Sequence, residues 1–316
     1  LVREADILVE SFRPGVMDKL GVGYETLKKE NKKLIYCCIS GYGWSGPLKD
    51  AAGHDNNYLS YAGVLGVSGE RDRRPSLSGV QVADVAAGAL FGAVGILAAL
   101  HQAQTSGEGA FIDTSMTDGA FAILGPHLAN FACERMAKAD TPAPRTGEML
   151  LAGKICAYTV YETSDGRHMS MGALEPKFWS AFIKAVERPD LMGAAFTDAK
   201  DGQKYYEQMK ELFASKTFEE WRALLKDVDC CVEPVLLLDE VLEEPHFIER
   251  DLWAEITVKD DKSVRVPRMP FVFDGKVVHG ADTPGPRQGA DTADFLKESG
   301  LTEDEIEALK KAGAVS

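Results

Sequence analysis

A histidine stands in the run Gly53-His54-Asp55-Asn56-Asn57-Tyr58, and a lone carboxylate, Asp84, opens a long stretch of small apolar residues. A third titratable group sits in Gly172-Ala173-Leu174-Glu175-Pro176. Moving a proton onto and off carbon needs a base on one face of that carbon and a conjugate acid on the other. Imidazole and partly buried carboxyl groups suit this work near neutral pH. By residue type alone each group has an ordinary part as well: His54 in a turn, Asp84 capping a helix, Glu175 at a helix start.

The elements that must position these groups can be read from periodicity. Residues 7–10 predict a short buried strand, with Arg13-Pro14-Gly15 turning into a short helix over 16–20. Residues 34–40 predict a second strand, apolar and β-branched enough for the inside of a parallel sheet. A Gly-rich loop, 41–47, follows it, where ligands of α/β sheets bind. A helix is expected over 55–65 with Asp55 capping its first turn, a long Ala- and Gly-rich helix over 82–104, a strand over 109–116 and a helix over 117–136. Residues 85–100 carry no charge, but that run is shorter than about 20 residues and rich in Gly and Ala, so a packed core helix is expected rather than a membrane span. Asp118 reads as a helix cap.

Past a linker at 137–146, residues 155–162 and 168–171 predict a hairpin about Ser164-Asp165-Gly166-Arg167. Helices over 175–186, 203–215 and 218–226 complete a smaller α+β domain. Residues 264–273 return to strand, and the tail 302–312 is a charged helix opened by a Thr302/Glu305 capping box. The division expected is a large domain and linker over 1–150, a small domain over 151–255, and a return to the large domain with a C-terminal helix over 256–316.

A chain of 316 residues, 45% of them hydrophobic, has room for two moderate cores. Its net charge of −14 argues against nucleic acid or an anionic membrane as partner. The six cysteines include the adjacent pairs Cys37-Cys38 and Cys230-Cys231 and no Cys-x-x-Cys, which favours reduced thiols in a cytoplasmic enzyme. No spacing suggests a metal. Leu20-Gly21-Val22-Gly23 lacks the third glycine of a dinucleotide fingerprint. His101, His127, His168, His246 and His279 lie in unrelated segments. The chain opens on Leu1, and Val2-Arg3-Glu4-Ala5-Asp6 is no signal peptide, so it reads as starting partway into a fold.

Taken in order, these segments resemble the alpha-methylacyl-CoA racemases within the family III CoA-transferase (CaiB/BaiF-type) superfamily. The resemblance rests on the Gly-His-Asp-x-Asn-Tyr run at 53–58, Asp84 and the Gly-Ala-x-Glu-Pro run at 172–176. It extends through 5–17, 34–36, 41–47, 106–109, 230–236 and 244–250. It lapses at Met149-Leu150-Leu151-Ala152-Gly153, where racemases of this kind have Met-Leu-Asp-Gly-Gly, which implies a different acyl pocket.

The resemblance implies an α/β fold: a large domain with a parallel-sheet, Rossmann-like core and a smaller α+β domain, two chains interlocking as a homodimer with sites between them. It implies that an N-terminal segment of the family is absent here. It assigns His54 and Asp84 as the two-face acid/base pair, with Glu175 pairing His54, and an enolate stabilised by backbone N–H groups near Asp55. It places Arg13 and Lys19 on coenzyme A, and Gly53, Asp55, Asn56, Asn57 and Tyr58 along the pantetheine and thioester. No separate cofactor is implied, because coenzyme A enters as part of the acyl-CoA substrate. Two rivals stand beside the racemase: a CoA-transferase in which Asp84 is the nucleophile, and an inactive fragment or CoA-binding scaffold.

Overall fold

Residues Ile7–Glu10 form β1, Val16–Lys19 α1, Tyr24–Glu30 α2 and Ile35–Ser40 β2. Leu34 through Cys38 are buried along β2, as a middle strand of a parallel sheet requires. The alternation of side chains splits them between two faces. Leu34, Tyr36 and Cys38 pack with Tyr24, Leu27, Trp44 and Phe111. A helix covers the other face. The third strand, β3 (Ala110–Ser115), completes the parallel order β1-β2-β3, with Ile7 opposite Ile35 and Ile35 opposite Ala110. This computed structural model describes residues 1–259, 262–278, 280 and 284–315, so His279 lies outside the described residues.

The helix expected over 55–65 is two helices. α3 (Asp55–Tyr61) stops at a left-handed glycine, Gly63, whose φ of 86° a side chain would resist, and α4 (Val64–Val67) restarts beyond it. The N-cap of α3 is His54, not Asp55. The long apolar helix is also composite. It runs as a π-helix over Val82–Leu90 and continues as α5 (Phe91–Ser106).

Small residues line its inward face: Ala83, Ala87, Gly88, Gly92 and Ala99 are buried. Its outward face is bare in the single chain, with Val94 62% and Leu97 65% exposed. The expected core helix is therefore packed on one side only, and Val82–Ser106 is long and apolar enough to cross a membrane by length and composition.

Two helices also replace the one expected after β3. α6 (Met116–Ile123) and α7 (Gly125–Ala137) meet at Leu124, where Pro126 in the first turn of α7 has no N–H to continue the ladder. Ser115 caps α6 by accepting from the Asp118 N–H at 3.1 Å, so Asp118 is the capped residue and not the cap. Contact between α6 and the π-helix is close at Gly119, where a Cβ would fall 2.5 Å from the Ala87 carbonyl oxygen.

Beyond the connection, β4 (Tyr158–Glu162), β5 (His168–Gly172) and β6 (Val232–Pro234) form an antiparallel sheet in the order β4-β5-β6. Helices α8 (Pro176–Ala185), α9 (Lys204–Phe213) and α10 (Phe218–Leu225) accompany it. An aromatic stack holds this part together: Tyr161 lies parallel on Phe213 at 4.6 Å, with Phe182 at 5.7 Å and Trp221 at 4.8 Å from the same ring.

By packing, the chain divides into Leu1–Val235, which contains all of the above, and Leu236–Ser316. The second unit carries α11 (Leu238–Glu243), α12 (Pro245–Glu249) and the antiparallel pair β7 (Trp253–Lys259) and β8 (Lys262–Pro267). Then come the short pair β9 (Val272–Phe273) and β10 (Lys276–Val277), α13 (Thr292–Glu298) and α14 (Glu303–Lys311). The strand expected over 264–273 is thus two strands, and Arg268 between them is buried, donating to the carbonyls of Arg250 and Met269 at 2.7 and 2.6 Å. The Thr302/Glu305 capping box forms as the sequence implies.

Phe213 is fully buried at the centre of the aromatic stack. Phe213→Ala leaves a cavity that its neighbours cannot close, and a loss of about 3–5 kcal/mol is expected in urea unfolding of the full chain.

Candidate active site

The chain leaves β1 and β2 at their carboxyl ends and builds a cavity of about 550 Å³ there, the position where open α/β sheets bind ligands. Four segments contribute: Ser11–Pro14 after β1, Ile39 to Tyr42 at the end of β2 and into its loop, residues of the Lys49-to-Tyr58 stretch that enters α3, and Met116 at the start of α6. His54 lines it as the N-cap of α3, its backbone extended at φ −131°. The His54 N–H donates to Asn57 Oδ1 at 3.1 Å, which holds the residue at the helix entrance.

Tyr58 forms the floor. Its ring is 6% exposed, and its hydroxyl donates to the Gly53 carbonyl at 2.6 Å. A Cβ at Gly41 would sit 2.5 Å from that ring, so the Gly-rich loop can pass the tyrosine only with glycine there. Tyr42 meets Tyr58 edge-on at 5.1 Å. Burial chiefly, with smaller contributions from Tyr42 and Asp84 and against Arg13, pushes the Tyr58 phenol up from its usual value, so it stays a neutral donor.

Asp84 lies in the first turn of the π-helix, partly buried. It is joined to the histidine by the residue between them in space. Asp55 Oδ1 accepts from the N–H of Ala83 at 2.6 Å and from that of Asp84 itself at 3.0 Å. The Asp84 carboxyl is raised above the ordinary aspartate range by burial first and by the Asp55 charge second, while His54 acts in the opposite sense. A carboxyl group shifted upward holds its proton closer to neutral pH, as a general acid must. His54 and Asp84 are therefore electrostatic neighbours on two helix starts, although Asp84 itself is not among the cavity-lining residues.

Glu175 is placed elsewhere in the chain. It is the N-cap of α8, at the end of a turn in which the Gly172 N–H donates to the Cys231 carbonyl at 2.8 Å. Its charge is felt by Cys231, whose thiol is pushed up by burial first and by Glu175 next. It does not line the cavity that His54 lines.

Of the two cations expected on coenzyme A, Arg13 lines the cavity and Lys19, at the end of α1, does not. Lys49 lines it and was missed from sequence. The signal was present: it is the one cation between Gly41 and Gly53. Gly53, Asn57 and Tyr58 line the cavity, whereas Asp55 turns its carboxylate to the π-helix. Asn56 accepts the Ser60 hydroxyl through its carbonyl at 2.8 Å and is not a lining residue.

The profile of CoA-transferase family III matches residues 1–292. Alpha-methylacyl-CoA racemase of Mus musculus is 35% identical over 96% of this chain and 77% of its own length. The Homo sapiens racemase is 34% identical over 98% and 78%. The crystal structure of a CAIB/BAIF family protein from Brucella suis superposes with a TM-score of 0.75 at 25% identity, covering 94% of this chain and 76% of that one. The sheet order, the cavity at its carboxyl edge and these matches agree: the chain belongs to CoA-transferase family III.

Proposed function

We propose that this chain interconverts the two configurations of 2-methylacyl-CoA thioesters without a separate cofactor. The observation that carries the reading is the pairing of an imidazole and an upward-shifted carboxyl group on two helix starts tied together by Asp55. In one direction His54 takes the proton from the carbon beside the thioester carbonyl, leaving an enolate, and the Asp84 carboxylic acid returns a proton on the opposite face. In the other direction the carboxylate removes the proton and the imidazolium returns it. The N–H groups of Asn57 and Tyr58 are taken by the His54 carbonyl, so the N–H groups of Asp55 and Asn56 at the start of α3 would carry the enolate oxygen. The racemase relatives support the same reading.

Arg13 and Lys49 would meet the polyanionic end of the substrate, with Lys19 farther out. In a chain of net charge −14 such local cations are needed to offset the overall field. Glu175 would reach His54 from a second copy of the chain, the bare apolar face of Val82–Ser106 giving two copies a surface to bury. A homodimer in the cytoplasm, acting in fatty acid metabolism, fits this reading.

Exchange of the α-hydrogen of 2-methylacyl-CoA in deuterated water is the direct assay. His54→Ala and Asp84→Asn should each slow it by about 10²- to 10⁴-fold, and wild-type exchange in both variants would overturn the assignment. A CoA ester trapped on Asp84 by hydroxylamine would instead make the protein a transferase. Coenzyme A binding with no exchange in the wild type would make it a scaffold.

Arg13→Ala removes a charge-assisted contact made equally to substrate and transition state. KM should rise about tenfold with kcat nearly unchanged, and steady-state kinetics at fixed ionic strength checks it.

A further inference from the structure

The side chain of Asp55 makes no ladder or cap within its own helix. It reaches across a sequence separation of 28 and 29 residues to the first-turn N–H groups of Ala83 and Asp84. Helix starts leave such donors without partners. The residue in the N-cap position of the π-helix, Gln81, makes no side-chain cap. Asp55 therefore caps a helix it does not belong to, and one oxygen atom binds two consecutive amides.

From this geometry we infer that Asp55 is the positioning residue of the acid/base pair. It locks the backbone of Asp84 to the residue following His54, so that the two proton-carrying side chains keep one separation and one mutual orientation. The inference rests on the proposed proton-transfer role of His54 and Asp84.

Two consequences separate this from an ordinary helix cap. The first is mechanical. His54 is the N-cap of α3 and Asp55 its first residue, so any slip of the π-helix start would move Asp84 relative to the imidazole. A displacement of about 1 Å between reacting groups costs on the order of 100-fold in rate.

The second is electrostatic. The charge of Asp55 pushes the Asp84 carboxyl up, second only to burial, and His54 opposes it. Tyr58, also on α3, faces Asp84 as a neutral phenol. The other packed elements carry Asp118 on α6, His101 on α5, Tyr36, Cys37 and Cys38 on β2 and Asp113 on β3, and none of these is among the groups that act on Asp84. One side chain thus holds the backbone of the carboxyl group in place and adds to the burial that makes it keep its proton.

Two variants of the full chain divide these effects. Asp55→Asn keeps an acceptor oxygen and removes the charge. Asp55→Ala removes both, and Asp55→Leu, which likewise offers no acceptor, stands in should the alanine variant not fold. Asp84 is followed by carboxyl-carbon NMR of aspartate-labelled protein, its signal assigned by its loss in Asp84→Asn. That titration needs no substrate, so it tests the clamp even if the chain proves not to racemise anything.

In Asp55→Asn the Asp84 titration should move to lower pH, because a neighbouring negative charge has been taken away, and KM should stay within about twofold. In Asp55→Ala, or in the leucine variant if it must stand in, α-hydrogen exchange should fall at least tenfold below the asparagine variant with KM little changed. An Asp84 titration that does not move in Asp55→Asn, or wild-type exchange in Asp55→Ala, would overturn the inference. Loss of exchange in the His54 and Asp84 variants is a separate result that judges the racemase reading itself.

Discussion

Two amides bound to one carboxylate oxygen decide how the rest of the site is arranged. Asp55 joins the start of α3 to the start of the π-helix, and each helix start brings one titratable side chain with it, His54 or Asp84. The bond is short in space and long in sequence, so its geometry depends on everything that places the two helices. α3 is held by Tyr58, whose ring packs beneath the Gly-rich loop and whose hydroxyl returns to Gly53. The π-helix is held by close contact with α6 at Gly119 and by small residues against the sheet. The cluster of Tyr58, Leu59, Ala62, Ala83, Ala87 and Ala120 is where these three elements share one core. Loosening any of them would be felt at the Asp55 carboxylate.

The widened helix fits this demand. A π-helix is rare and costs hydrogen-bond geometry, and such turns gather at functional sites because they shift a side chain off the regular helical path. Here the distorted stretch covers Val82–Leu90 and contains Asp84, while the regular α5 begins only at Phe91. The same helix keeps a bare outward stripe that includes Leu90, 58% exposed, with Val94 and Leu97. Contiguous exposed apolar surface of this kind is characteristic of faces that become buried against something else. The same helix thus carries Asp84 on its first turn and an open apolar stripe along its length.

Much of the scaffold was legible because its causes are local. The strands over 7–10 and 34–40 follow from runs of apolar and β-branched residues, although only the second is buried, Ile7 and Val9 of β1 being exposed, and the tail capping box follows from Thr302 and Glu305 alone. The helix breaks at Gly63 and Pro126 were overlooked although both residues are strong local signals, because apolar periodicity continues across them. The cap of the π-helix could not have been read from any window, since the capping carboxylate lies 28 residues upstream of its first amide. Locally, Asp55 looks like the cap of its own helix. Tertiary packing chose the other partner. Glu175 shows the same limit, for its motif fixes a turn before α8 and says nothing about which histidine, in which chain, that turn will face.

Charge poses the remaining physical problem for an acidic chain that takes a polyanionic ligand. The net charge of −14 repels coenzyme A at long range, but opposing charges more than about 8–10 Å apart are largely screened at physiological ionic strength. Cations at short range count most, and those that line the cavity are Arg13 and Lys49, both exposed. The carboxylates there are not free to add to the repulsion equally. Asp55 has its charge satisfied by two backbone amides, and Asp84 is shifted toward its neutral form. The burial that raises the Asp84 carboxyl, and the amide bonds that hold Asp55, therefore also reduce the negative potential that these two groups add to the chain.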